Sequence, residues 1–386
     1  MNETLAKETQ YAWQVTWQEK TKPQTANWQS EAGNPPPKKV LLADDTTNAK
    51  VAYKQVCEGA ALLYTGDFQN AKQLLQAITR KFDIKPIKPT TTMLEAFHQH
   101  RARQIQRASI TNKILIELKY GACDLRRAPD VKEAVAGALI INPKIDKLPA
   151  KLVLSLRELL GMIGAHEWRK KGVYIDAIQA NIHAHYGVYS PVRGEYLELI
   201  NNAPLNNFKT AFDIGTGTGV IAAILVNRGI KKVIATDNNI RALNCASENI
   251  AQLGLKEYIE VEQANLFPTG FKKADLIVCN PPWLPAKANA PIEHAIYDTN
   301  SAMLKGFLGG VKAYLNDDGE AWLVMSDLAE NLGLRASEEL QKWIADAGLT
   351  VVEKLDIAPK HAKSADQSDP LYAARSKEVT SLYRLK

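Results

Sequence analysis

Ten residues just past the midpoint of the chain, Ala211-Phe212-Asp213-Ile214-Gly215-Thr216-Gly217-Thr218-Gly219-Val220, restrict its architecture more than any others. They begin as an apolar strand signal, pass through alternate glycines and open into the apolar face of a helix. Glycines between a strand and a helix let the backbone turn sharply and approach a ligand closely. A turn of this kind serves a ligand at the carboxyl edge of a parallel sheet, where the following helix presents its N-terminus.

The surrounding pattern agrees. From Thr210 onward strand and helix signals alternate: TAFDI, a helix from about Gly219, KKVIATD, RALNCASENIAQLG, YIEVEQAN, ADLIVCN, a helix near 300–315, GEAWLVMSD, a helix near 331–347, LTVVEKLDI and VTSLYRLK. Such alternation builds βαβ units and a mostly parallel sheet covered on both faces. The last two strand signals have no helix signal between them, which predicts an antiparallel pair at one end of the sheet. Ahead of this region, 49–160 carries mainly helical spacing, as in AYKQVCEGAALLYTG, NAKQLLQAITRKF and LVLSLRELLGMI. Residues 1 to about 45, with Pro35-Pro36-Pro37, read as a loosely structured or surface-hugging arm, and 167–191 as two short extended segments. At 386 residues the chain is long enough for two domains. The expected organisation is a mainly helical, substrate-recognising accessory domain over 1–170 followed by an α/β, Rossmann-like seven-stranded domain over 171–386.

Composition excludes several classes. With 46% hydrophobic and 23% charged residues, the chain is neither fibrous nor disulfide-stapled. Cys57, Cys123, Cys245 and Cys279 form no CxxC pair and no Cys/His spacing suited to zinc, so no metal is expected. No eighteen uncharged apolar residues run together, and MNETLAKETQYAWQ lacks the basic start and apolar stretch of a signal peptide, which predicts a cytoplasmic protein with no membrane partner. A formal charge of +6 is compatible with a nucleic-acid partner without requiring one.

The glycine loop alone also fits the dinucleotide fingerprint of a nicotinamide or flavin enzyme. Asp213 tilts the reading. An acid just ahead of the glycines repels a pyrophosphate at the helix N-terminus, whereas it accepts hydrogen bonds from an ammonium group such as that of a methionine moiety. Asp237, closing VIATD, is placed either to accept hydrogen bonds from the ribose hydroxyls of an adenosine or to cap the helix beginning near Asn239.

After ADLIVC comes Asn280-Pro281-Pro282-Trp283. Two prolines beyond a buried strand fix φ and remove two backbone donors, leaving carbonyls to face a ligand. The Asn280 side chain and the Pro281 carbonyl together accept both hydrogens of an amino group on a planar system. Its nitrogen lone pair is then aimed at an electrophilic methyl. Trp283 offers a face for stacking, worth roughly 1–3 kcal/mol per base.

With these two motifs, DIGTGTG and NPPW, the sequence from about 186 to 386 resembles class I methyltransferases carrying an NPP(Y/F/W) motif. That group includes small-domain ribosomal RNA guanine methyltransferases, adenine-N6 enzymes and release-factor glutamine methyltransferases. The resemblance implies S-adenosylmethionine as cofactor. It implies cofactor-binding roles for Asp213, Gly215, Thr216, Gly217, Gly219, Asp237, Asn265 and Asn280, and a target-holding catalytic role for Asn280, Pro281, Pro282 and Trp283. Asn265 stands where many relatives carry Asp beside the adenine, and a turn-forming Asn suits that place too. The segment from Tyr189 to Tyr196 is similar to the Pro-Arg and Glu flank of glutamine methyltransferases at a different spacing.

Arg80 to Arg127 is the densest basic stretch, including Arg101, Arg103, Arg107, Lys113, Lys119, Arg126 and Arg127. It reads either as a phosphate-binding face or as a solvated one. The polar return from Ala358 to Arg375 reads as a substrate flap or an unstructured loop. The expected activity is methylation of a planar amine, foremost an exocyclic amine of a nucleobase in RNA, with RNA ahead of DNA as partner. The alternatives are a glutamine side chain in a release factor or ribosomal protein, and a non-catalytic RNA-binding module on the same fold.

Overall fold

A computed structural model describes residues 13–140, 147–270, 272–360 and 364–386. The chain divides into two compact units, one made of 1–88 and 102–166, the other of 89–101 and 167–386.

The first unit contains β1 (Gln14–Glu19), β2 (Lys22–Trp28), β3 (Val40–Ala43), α1 (Ala49–Cys57), β4 (Ala61–Tyr64) and α2 (Phe68–Asp83). Part of α3 (Met93–Thr111) follows, then β5 (Ile114–Lys119), α4 (Lys132–Leu139), β6 (Lys151–Ser155) and most of α5 (Leu156–Lys171). Its six strands form one sheet in the order β1-β2-β6-β5-β4-β3, with β3, β4 and β5 parallel and β6 antiparallel to β5. This corrects the expectation of a mainly helical domain: helices occupy the helically spaced segments, but a sheet runs between them. Ala61–Tyr64 is buried at all four positions. A strand covered on both faces shows no alternation, so its apolar residues merge into the neighbouring helical pattern. The same happens where β6 runs straight into α5. The arm expected up to residue 45 is likewise corrected from residue 14 on, since β1 and β2 pair as a hairpin and place Trp17 and Trp28 against Leu63, Leu115 and Val153. Residues 1–12 lie outside the described residues.

The second unit contains β7 (Val173–Ile175), β8 (Ala180–Ile182), α6 (Glu195–Asn202), β9 (Thr210–Ile214), α7 (Val220–Asn227), β10 (Lys232–Asp237) and α8 (Ile240–Gln252). It continues through β11 (Ile259–Gln263), β12 (Ala274–Cys279), α9 (Ala302–Tyr314), β13 (Leu315–Ser326), α10 (Leu328–Asn331), α11 (Glu339–Asp346), β14 (Val351–Ile357), α12 (Tyr372–Arg375) and β15 (Thr380–Leu385). Seven strands lie in the order β11-β10-β9-β12-β13-β15-β14, and β15 is antiparallel to both neighbours. This is the Rossmann-like seven-stranded sheet that the alternation of signals predicts. One face packs on α6, α7 and α8 through residues such as Ile200, Ile224 and Ile250, the other on α9 and α11 through Phe307, Val311 and Ile344. The register of the antiparallel addition is fixed inside the sheet, where Arg384 donates two hydrogen bonds of 2.9 Å to the buried carboxylate of Glu320.

Candidate active site

Three neighbouring strands of the second sheet end at one level. Ile214 of β9 stands opposite Thr236 of β10 on one side and Cys279 of β12 on the other. The next residues, Gly215, Asp237 and Asn280, therefore start their loops side by side. Strands lie about 4.8 Å apart, so Asp237 and Asn280 face each other across roughly 10 Å. The strand order reverses at β9, and open α/β sheets bind ligands at such a switch point.

The glycine loop is held from below. The amides of Gly215 and Thr216 each donate to the Thr236 carbonyl at 2.9 Å, and that of Gly217 donates to Asp237 Oδ2 at 3.1 Å. Gly219 adopts φ 82° at the N-cap of α7, and a Cβ there would come within 3.3 Å of Ala246 on α8. Glycine thus lets two helices approach. Gly217, at φ 56°, would point a Cβ into open space, so only backbone lines that side of the loop.

Asp213 is wholly withdrawn from solvent. Its Oδ2 accepts hydrogen bonds from Thr216 Oγ1 (2.6 Å) and the Ala222 amide (3.1 Å), while its Oδ1 has no hydrogen-bond partner. Burial pushes the carboxyl up to about 7; the Thr216 and Ala222 bonds oppose the rise and the Asp237 charge adds to it. A buried carboxylate oxygen without a donor is costly, and a cationic donor satisfies it best. The residues present therefore fit the ammonium end of S-adenosylmethionine.

Asp237 accepts from the Asn239 amide at 2.9 Å through Oδ1, and burial raises its pKa. The cap of α8 is Asn239, whose side chain accepts from the Arg241 amide at 2.9 Å, so the capping role open to Asp237 belongs to its neighbour. Asn265 is exposed in the loop after β11, which is tied to Asp237 by a 3.1 Å bond from the Ala264 amide to the Asp237 carbonyl.

Asn280 and Trp283 are half-buried, and Pro281 is buried. The Trp283 indole donates to Asn280 Oδ1 at 3.0 Å and packs against the cores on both faces of the sheet. This bond fixes the Asn280 side chain and leaves the second lone pair of its oxygen for another donor. Around Trp283 lie Arg193, Tyr196, Pro359 and Glu378. The segment from Tyr189 to Tyr196 and the return from Ala358 thus meet at the tetrapeptide. Lys360 ties them, donating its amide to Glu195 Oε1 at 2.7 Å. The later part of the return folds as α12 and buries Leu371 and Ala374 beside Leu284 and Phe97, so an unstructured loop does not describe it; His361, Ala362 and Lys363 lie outside the described residues.

Two buried acids here carry no sequence signal. Glu378 accepts from Ser326 Oγ at 2.7 Å and lies 3.6 Å from the Arg193 guanidinium. Asp298 accepts from the amides of Met303 and Leu304, both at 3.1 Å, and so starts α9. It is followed by Asn300 and Ser301 at φ 59° and 54°, a sparsely populated conformation that favours sites under structural constraint.

Seven cations of the basic stretch have partners within the protein. Arg101 pairs with Glu293 at 3.0 Å and Arg107 with Asp83 at 2.9 Å. Arg103 donates to the Asp83 carbonyl at 2.8 Å and Lys113 to that of Gly59 at 3.4 Å. Lys119 pairs with Asp124, and Arg126 and Arg127 both hold Asp67.

The comparison with known proteins agrees with this geometry. Residues 179–342 match the family model of the methyltransferase small domain. A release factor glutamine methyltransferase of Cereibacter sphaeroides is 36% identical over 125 residues, covering 32% of this chain and 45% of that protein. A putative protein N5-glutamine methyltransferase of Methanocaldococcus jannaschii is 28% identical over 40% of this chain and 80% of its own length. A tRNA1(Val) (adenine(37)-N6)-methyltransferase of Bacteroides thetaiotaomicron is 32% identical over 38% of this chain and 64% of its own length. The second unit is a class I methyltransferase domain, a class whose methyl donor is S-adenosylmethionine. The chain spans less than half the length of the release factor enzyme. Among the described residues, no helix is long and apolar enough to cross a membrane.

Proposed function

We propose that this chain transfers the methyl group of S-adenosylmethionine to a planar amino nitrogen, and that the nitrogen belongs to a nucleobase in RNA. The observation that carries this reading is the registration of Gly215, Asp237 and Asn280 on adjacent strands. It brings a loop fit for the donor beside an amide fit for the acceptor. When bound, S-adenosylmethionine supplies a sulfonium whose methyl is already electrophilic. The protein's task is position and electrostatics. Asp213 and the open backbone at Gly217 hold the methionine end, and Asp237 accepts from the ribose. Asn280 Oδ1 and the Pro281 carbonyl draw the two amino hydrogens into one plane and turn the nitrogen lone pair toward the donor. As the nitrogen takes the methyl, the sulfur would leave as a neutral thioether and one of these hydrogens would depart as a proton to solvent. Trp283 stacks beside the flat group. A base paired in a helix has to be flipped out to reach it, at a cost of a few kcal/mol.

The pocket chemistry suits a glutamine amide equally, and two of the relatives above bear glutamine methyltransferase names. The formal charge of +6 favours RNA. Incubating the full chain with labelled S-adenosylmethionine and, separately, total RNA and ribosomal plus release-factor protein separates the two. Label in RNA is the expected result; label in protein alone overturns the RNA assignment.

A further inference from the structure

Within the first unit, Arg80 on α2, Arg107 on α3 and Arg157 on α5 line one open cavity of about 350 Å3 together with Leu75, Thr79 and Thr111. Two of these guanidiniums, those of Arg80 and Arg157, make no hydrogen bond or ion pair among the described residues, in contrast to the seven partnered cations from Arg101 to Arg127. Arg107 keeps its inner edge on Asp83 through bonds of 2.9 and 3.1 Å. The hydroxyls of Thr79 and Thr111 are spent on the Leu75 and Arg107 carbonyls, both at 2.8 Å, so the floor is effectively apolar. Partial burial and the Arg107 charge together lower the pKa of Arg157. The protein thus holds Arg157 near the charge of Arg107 with Asp83 as the one carboxylate paired among the three guanidiniums, an arrangement a further anion relieves.

We infer that this notch binds the backbone of single-stranded RNA, with a phosphate between Arg80 and Arg157 and the attached nucleotide over the apolar floor. Guanidiniums present paired donors to phosphate and flat faces to bases, and the cavity is larger than a bare phosphate needs. A solvated basic patch would have neither an apolar floor nor cations converging from three helices. The inference rests on the RNA reading above and adds where the accessory unit grips the substrate.

The test is anisotropy titration of the full chain with a fluorescein-labelled single-stranded RNA of mixed sequence at several salt concentrations. The Arg80→Gln/Arg157→Gln double variant is expected to bind about tenfold more weakly at low salt. Its slope of log affinity against log salt should fall by about 0.7 for each phosphate no longer neutralised. Arg157→Lys keeps the charge and should retain more affinity than Arg157→Gln. A Lys50→Gln/Lys54→Gln pair removes the same charge from α1 and should change little. Unaltered far-ultraviolet circular dichroism and an unaltered melting temperature show that the variants are folded, the first unit included. Equal losses in the arginine and lysine pairs would overturn the notch, as would displacement of the RNA by polyglutamate as readily as by unlabelled RNA of equal charge. RNA binding lost in the arginine pair while no RNA accepts methyl removes the RNA methylation reading and leaves the notch. RNA methylated by a double variant that binds RNA as the parent does removes the notch and leaves the reading.

Discussion

Asp67 in the first unit and Asp213 in the second are both carboxylates beside the carboxyl end of a parallel strand, and both are wholly withdrawn from solvent. Their surroundings differ. Asp67 caps α2 through the amides of Gln69 and Asn70 and takes two hydrogen bonds from Arg127, at 2.6 and 2.8 Å, and one from Arg126 at 3.1 Å. Those guanidiniums, Arg127 foremost, hold its carboxyl well below the usual carboxylate range. Asp213 meets a hydroxyl and one amide and no cation, and its carboxyl is pushed up to about 7. One sheet satisfies its buried acid with its own side chains. The other leaves an acceptor unmet beneath an open glycine loop, and an unmet buried group is where binding energy is gained.

The contrast is tested hardest at the amide beside the open acid. Asn280→Ala is expected to lower turnover about a thousandfold, roughly 4 kcal/mol of transition-state stabilisation. Donor affinity should stay within about tenfold, or 1.4 kcal/mol. Single-turnover transfer with calorimetry on the same variant checks both, and retained turnover removes Asn280 from its role.

Asp213→Asn sharpens the contrast, because stability and binding should move in opposite directions. The carboxyl is raised when folded, so its ionisation costs stability as pH climbs from about 4 to about 7, reaching about 4 kcal/mol above that window. The amide escapes that cost but buries an unmet N–H worth about 2 kcal/mol. The donor-free variant should therefore gain about 2 kcal/mol at about pH 8 in urea titration, while its S-adenosylmethionine affinity falls about tenfold to a hundredfold. A variant less stable than its parent with donor affinity unchanged would mean that Asp213 is structural like Asp67.

Asp67→Asn should do the reverse and have the smallest effect at the site. Two guanidiniums lose their charged partner, so the melting temperature falls, while calorimetry should find donor affinity unchanged. A fall in donor affinity would erase the distinction between the two acids.

The two regions also differ in how far they can be read from sequence. In the second, strands of the main sheet alternate with helices, and two of them lead into Gly215 and Asn280-Pro281, so sheet, turn and tetrapeptide are legible together. In the first, Ala61–Tyr64 is too short and too evenly buried to carry a period, and the helical pattern around it absorbs it. Asp213, Gly217, Asp237 and Asn280 announce themselves by position after a strand. Glu378 and Asp298 do not, since an isolated acid looks like surface until its partners are known. The arginines mislead for the same reason: whether a cation is free or spent on Asp67 depends on a fold that spacing does not show.

The proposed role of Asp213 as an open acceptor for the donor's ammonium is probed by calorimetric titration of S-adenosylmethionine against the full chain across pH. An ammonium needs the ionised carboxylate, so affinity should fall about tenfold for each unit below about pH 7 and level off above it, and Asp213→Asn should abolish that dependence. A flat profile in the parent chain, or the same slope in both proteins, would remove Asp213 from that role.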